Sequence, residues 1–149
     1  MKASSLFALS LICGSLSALA QEKGDWRASS SNAASITGDL ALSDTKVFIN
    51  YTGFTIAQIR HLEPAEISAV FAAEDAAGSG NLYRLNIPAA RRFLHHNSLC
   101  GSDDTEWMVT SASGRVLHVA FFSGPDPPVF TPEAIGNSTN LCGTFTYVK

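Results

Sequence analysis

Apolar and polar residues alternate with a period of two along much of this chain, the pattern of strands that turn one face to a core. Ile36, Leu40 and Leu42 stand against Thr37, Asp39 and Ala41. Ser43-Asp44-Thr45-Lys46 then supplies turn chemistry, and Val47-Phe48-Ile49-Asn50-Tyr51 is rich in β-forming residues, so the two runs predict a hairpin. Beyond Gly53, the stretch from Phe54 to Arg60 predicts a third strand with Phe54 and Ile56 inward, and Ile59 inward after a slip. Ala65 to Ala73 fits either period: Glu66, Ala69, Ala72 and Ala73 favour helix, Ile67, Val70 and Phe71 suit both, and the strand-rich surroundings tip the reading to strand.

Glu74 to Gly80 is small, acidic and Gly-rich, and reads as a loop. Leu82 to Ile87 is a strand ended by Pro88. Proline suits a first helical turn because its missing N–H is not needed there, so Ala89 to His95 reads as a short helix. In that helix Phe93 and Leu94 point inward, Arg91 and Arg92 outward. Glu106 to Ser111, a turn at Ser113-Gly114, and Arg115 to Phe122 form the clearest hairpin. Pro125, Pro127, Pro128 and Pro132 exclude a strand or helix interior between Gly124 and Thr131, and Leu141 to Val148 closes the chain as a strand. The sum is a mainly β fold: a small antiparallel barrel or sandwich of about six to eight strands with one short helix.

The first twenty residues break this pattern. Lys2 precedes an apolar, Ser-containing run from Leu6 to Leu19, followed by Ala18-Leu19-Ala20 and the polar Gln21-Glu22-Lys23. This is the three-part order of a secretory signal peptide with cleavage near Ala20. A membrane anchor needs a longer apolar span, and a lipoprotein reading at Cys13 meets the bulky Ile12 just before it. The expected organisation is therefore a leader over 1–20, a loosely ordered polar lead-in over 21–32 anchored only by Trp26, and one β-rich domain over 33–149. The expected location is periplasmic or secreted.

Charge and cysteine usage fit that picture. The full chain carries 10 Lys+Arg against 13 Asp+Glu, and loss of Lys2 with the leader makes the remainder slightly more acidic. With no basic run there is no electrostatic footprint for nucleic acid, and no second apolar stretch is long enough to span a membrane. Removal of Cys13 leaves Cys100 and Cys142, each set between Leu and Gly. In an oxidising compartment they pair as one disulfide; a free-thiol metal or redox pair is the alternative and calls for closer spacing.

Candidate chemistry is sparse. His95 and His96, with His61 and His118 further off, lack the spacing of a metal site, since neighbours on a helix point about 100° apart. Asp103, Asp104 and Glu106 lack the spacing of a calcium loop. No Gly-x-Ser-x-Gly elbow is present, and Gly78-Ser79-Gly80 has no lysine of a phosphate-binding loop. The residues thus predict no catalytic group, no metal and no cofactor. Asn50-Tyr51-Thr52 and Asn137-Ser138-Thr139 match the glycosylation acceptor pattern. Arg91, Arg92, His95 and His96 form the one local cationic patch and are the candidate binding residues.

Leu82-Tyr83-Arg84, Pro88-Ala89 and Asn97-Ser98-Leu99-Cys100-Gly101, with Ser35-Ile36-Thr37-Gly38-Asp39 and Cys142-Gly143-Thr144-Phe145, resemble a group of small exported bacterial proteins without an assigned activity. The resemblance covers most of the chain after the leader; it implies a periplasmic or secreted location and lends no catalytic residues. In size, export, single disulfide and β-content the chain also looks like small periplasmic barrels that inhibit lysozyme, but it carries none of the motif residues needed to transfer that role. The expectation is a non-enzymatic binding module, envelope-associated or inhibitor-like, that meets a protein or envelope component through the loops Glu74–Gly80 and Gly124–Gly136. A small apolar-ligand carrier and a secreted hydrolase or metal-dependent enzyme, using His95, His96 or the acidic cluster, are the alternatives.

Overall fold

The computed structural model describes residues 22–72 and 78–149. Residues 1–21, which include the expected leader, and four residues of the loop expected over 74–80 lie outside the described residues. The strands are β1 (Gly24–Ala28), β2 (Leu40–Leu42), β3 (Lys46–Ile49), β4 (Thr52–His61), β5 (Ser79–Ile87), β6 (Thr105–Ser113), β7 (Val116–Ser123) and β8 (Leu141–Val148), with helices α1 (Pro64–Phe71) and α2 (Pro132–Gly136). Every strand pairs antiparallel with the next, and β8 returns to β1 through Arg27↔Val148 and Ala28↔Tyr147. The result is a closed eight-stranded barrel whose first and last strands meet through these two pairs.

Period-2 alternation sends one set of side chains inside. Trp26, Leu40, Ile49, Met108, Leu117, Phe121 and Tyr147 are all essentially fully buried there. An eight-stranded barrel is just wide enough for such side chains to fill. The outer face of β5–β7 is also apolar, carrying Leu82, Trp107, Val109, Ala120 and Phe122, and it is covered by Ile67 and Val70 of α1 and by Phe130. A Cβ on Gly80 would come within 2.7 Å of Ile67 Cδ1, so glycine there is what lets α1 lie close on β5. The disulfide Cys100–Cys142 ties the 88–104 loop to β8 with a Cα–Cα distance of 5.0 Å.

Several expectations are corrected. Residues 24–28 are not part of a loose lead-in but form the strand that closes the barrel, with Trp26 only 1% exposed. The polar neighbours of Trp26 hide the alternation. Ala33–Thr37 is a short π-helical turn rather than the start of a strand, capped by Asn32, with Thr37 Oγ1 2.7 Å from the Tyr147 hydroxyl. Pro64–Phe71 is helical, not extended, because Pro64 opens the turn and the Glu66 carboxylate accepts from the Glu63 N–H at 3.0 Å.

The helix expected over Ala89–His95 does not form. A turn closed by Arg91 N–H to Pro88 O (2.9 Å) leads to a single 3₁₀ turn at Leu94–His96 in which His95 and His96 have φ of 54° and 61°. Phe93 docks on Phe54 with ring centroids 6.0 Å apart, and Leu94 packs against Gly38. These tertiary contacts replace the helical ladder. In β4 the slip is present, as a register shift between Gln58 and Arg60, but it leaves Ile59 outside at 51% exposure.

Candidate functional site

Helices cover the outside of the barrel at β5–β7, whereas the outer face of β1–β3 holds a concavity of about 770 Å³. Asp25 and Arg27 reach it from β1, Asp39 and Ala41 from the start of β2, Phe48 from β3, and Val148 and Lys149 from the end of the chain. Tyr51 overhangs it. Outward alternation on three short neighbouring strands is what brings these side chains to one surface.

Tyr51 sits in the two-residue turn that joins β3 to β4, since Ile49 pairs with Thr52. Two-residue hairpin connections favour primed turns, and the type I′ form sets both central residues in left-handed backbone; Asn50 and Tyr51 have φ of 46° and 69°. Asparagine tolerates this region, whereas for tyrosine the left-handed region is strained. The side chain is nevertheless 92% exposed, so burial does not compensate. Phe48, 36% exposed, lies across Gly53 on the facing strand, where an added Cβ would come within 2.9 Å of its ring.

The charges of the concavity balance, with Asp25 and Asp39 against Arg27 and Lys149. Asp39 is oriented by the Ala28 N–H, which donates to Oδ1 at 2.9 Å. The Lys149 ammonium lies 4.5 Å from the Trp26 ring centroid and donates to Lys23 O at 3.2 Å. Acceptor-only and donor-only side chains therefore stand beside two aromatic rings.

The residues singled out from the sequence lie beside this concavity rather than in it. Arg91 donates to Thr52 Oγ1 at 2.9 Å, next to Tyr51, with its guanidinium 5.9 Å from the Phe54 ring centroid. Arg92 folds back to Ala89 O at 2.7 Å. His95 directs Nδ1 to Ser35 O at 3.0 Å, which places its proton on Nδ1. His96 follows in left-handed backbone and is exposed. Of the five non-glycine residues with positive φ among the described residues, Asn50, Tyr51, His95 and His96 all belong to this end of the barrel, since Asn50 and Leu94 both pack on Gly38.

Asp103, Asp104 and Glu106 do come together, lining a second concavity of about 480 Å³ with Ser123 and Asn140. Two of the three carboxylates are already engaged, Asp104 by the Ala89 N–H at 2.8 Å and Glu106 by Arg84 at 2.9 Å. Among the described residues no group of three or more His, Cys, Asp or Glu side chains is arranged to hold a metal ion.

Two features escape a reading of the sequence. Phe48 and Tyr51 read there as ordinary β-formers, although strict alternation from Val47 to Ile49 already points Phe48 outward. Glu22, next to the expected cleavage point, is a buried carboxylate inside the barrel, accepting from Asn81 (3.1 Å), Tyr83 (2.6 Å) and Thr110. Burial, reinforced by this carboxylate, raises the Tyr83 hydroxyl well above the usual phenol range. No protein-family model, no curated protein and no solved structure matches the chain.

Proposed function

We propose that this chain is an exported, non-enzymatic binding module of the periplasm or extracellular space that recognises its partner through the concavity on β1–β3 and the Asn50–Tyr51 turn. The observation that carries the reading is the exposure of Tyr51 in strained backbone above a concave surface. Strain that no packing repays is retained at sites of recognition, and the volume lies in the range of roughly 300–1,000 Å³ typical of binding clefts. The disulfide supports an oxidising compartment.

A carrier that holds an apolar ligand inside the barrel would have to displace Trp26, Phe121 and Tyr147, which fill it. An enzyme built on Asp103, Asp104 and Glu106 is the second reading, favoured by their shared concavity. It ranks lower because the Arg84 ion pair and the Ala89 N–H already hold two of the three groups.

The test is retention of an envelope component on the immobilised, disulfide-bonded protein, compared with Tyr51→Asn, which keeps a side chain suited to left-handed backbone. A stoichiometric partner that is lost with Tyr51→Asn and kept with Val129→Ser supports the assignment. Equal retention on all three proteins would sink it.

A further inference from the structure

We propose that the concavity on β1–β3 binds a neutral glycan, its sugar rings stacked on Tyr51 and Phe48 and its hydroxyls shared between Asp39, Asp25 and Arg27. The proposal rests on the reading of this surface as the recognition site and names the chemistry it takes.

Three observations select that class. The charged lining is balanced, two acids against two bases, so the surface has no net attraction for a polyanion or a polycation. Asp25 and Asp39 only accept hydrogen bonds and Arg27 only donates them. A ligand that satisfies both kinds along one short groove needs groups that donate and accept at once, which is what adjacent sugar hydroxyls do. The Asp39 carboxylate is already oriented by Ala28 and keeps one oxygen for a ligand.

The aromatic residues supply the other half. Tyr51 and, in part, Phe48 are exposed at the concavity instead of buried in the core. A sugar ring offers an apolar C–H face and a polar rim, and so matches an aromatic face flanked by hydrogen-bonding groups.

The experiment is a ¹H–¹⁵N titration of the disulfide-bonded protein with maltotriose, cellotriose and chitotriose. The expected result is saturable shifts on β1, the start of β2 and the Asn50–Tyr51 turn for at least one saccharide, with a dissociation constant on the order of 1 mM or tighter. Tyr51→Asn weakens it by about tenfold or more, and Val129→Ser leaves it unchanged. The proposal is overturned by the absence of saturable shifts with all three saccharides, or by binding that Tyr51→Asn does not alter. It is also overturned if sedimentation reveals a dimer that Tyr51→Asn dissolves, which would make a second copy the occupant. Should the saccharides fail while an envelope partner is still lost with Tyr51→Asn, the glycan assignment falls and the recognition surface stands.

Discussion

The hydroxyl of Tyr83 donates to the carboxylate of Glu22 over 2.6 Å inside the barrel, joining the residue just ahead of β1 to the middle of β5. The same carboxylate accepts from Asn81 and Thr110, so one acidic side chain satisfies three buried donors from β5 and β6. Glu22→Ala strands all three and lowers stability by roughly 2–5 kcal/mol in urea unfolding, since each unsatisfied buried group costs about 1–3 kcal/mol. Tyr83→Phe costs less, and the two changes combined cost less than their sum. A loss below about 0.5 kcal/mol for Glu22→Ala would mean that water already serves these groups.

Replacing Tyr51 by glycine separates stability from recognition. Glycine relieves the left-handed backbone, and Asn-Gly is the favoured pair for such a turn. Tyr51→Gly therefore raises stability by about 0.5–1 kcal/mol while removing binding at the groove. A fall in the melting temperature would show that the tyrosine ring contributes packing its exposure does not reveal.

Acidification acts through His118 on the outer face of β7. Its ring lies 5.5 Å from that of Phe71 at the end of α1 and 3.2 Å from Thr146 Oγ1, and burial holds its pKa below the ordinary value. The unfolded chain thus takes up the proton first. Stability is full above the unfolded value of about 6.5 and declines as pH falls from there towards the folded pKa. His118→Gln flattens this decline in melting curves taken between about pH 7.5 and 5; parallel profiles for the two proteins would dismiss His118 as its source.

Glu66 adds a second, more acidic step. The hydrogen bond from Arg60, with Nη2 2.7 Å from Oε2, holds its carboxyl below the usual range. The stability this contributes is present above the unfolded value of about 4.3 and is lost as pH falls through the lower folded pKa. Since Arg60 is largely exposed, Glu66→Gln costs only about 0.2–1 kcal/mol at neutral pH. Thermal melts of this variant at about pH 7 and about pH 3 should converge on the wild type at the lower value.

Removing the disulfide with Cys100→Ser and Cys142→Ser, a sequence separation of 42, lowers stability by about 2–4 kcal/mol. Because the bond fastens the 88–104 loop to β8, amide exchange should rise most over that loop. A uniform rise would instead point to loss of global stability alone.

Strands whose alternation is sharp and whose turns are conventional are legible from sequence. β6, β7 and β8 fall where Trp107 to Phe122 and Leu141 to Val148 predict them, and Cys100 and Cys142, the one pair expected after the leader, form the disulfide. Legibility fails where a partner elsewhere in the chain decides the outcome. β1 has one large apolar residue and a charged neighbour whose carboxylate is satisfied by residues some sixty and ninety positions away. The 89–96 segment has helix-compatible composition, yet contacts of Phe93 and Leu94 with Phe54 and Gly38 settle its path. The concavity on β1–β3 is invisible for the same reason: Asp25, Asp39 and Phe48 become neighbours only once three strands lie side by side.

The pairing of Arg27 with Val148 sets an order of events. β1 finds its β8 neighbour only when residues well over a hundred positions further along have been synthesised, so the cylinder cannot shut before β8 is made. Such long-range closure slows the completion of folding. Every other pairing in the ring joins strands that are neighbours in sequence, so shutting the cylinder is the one step that waits for its most distant partner.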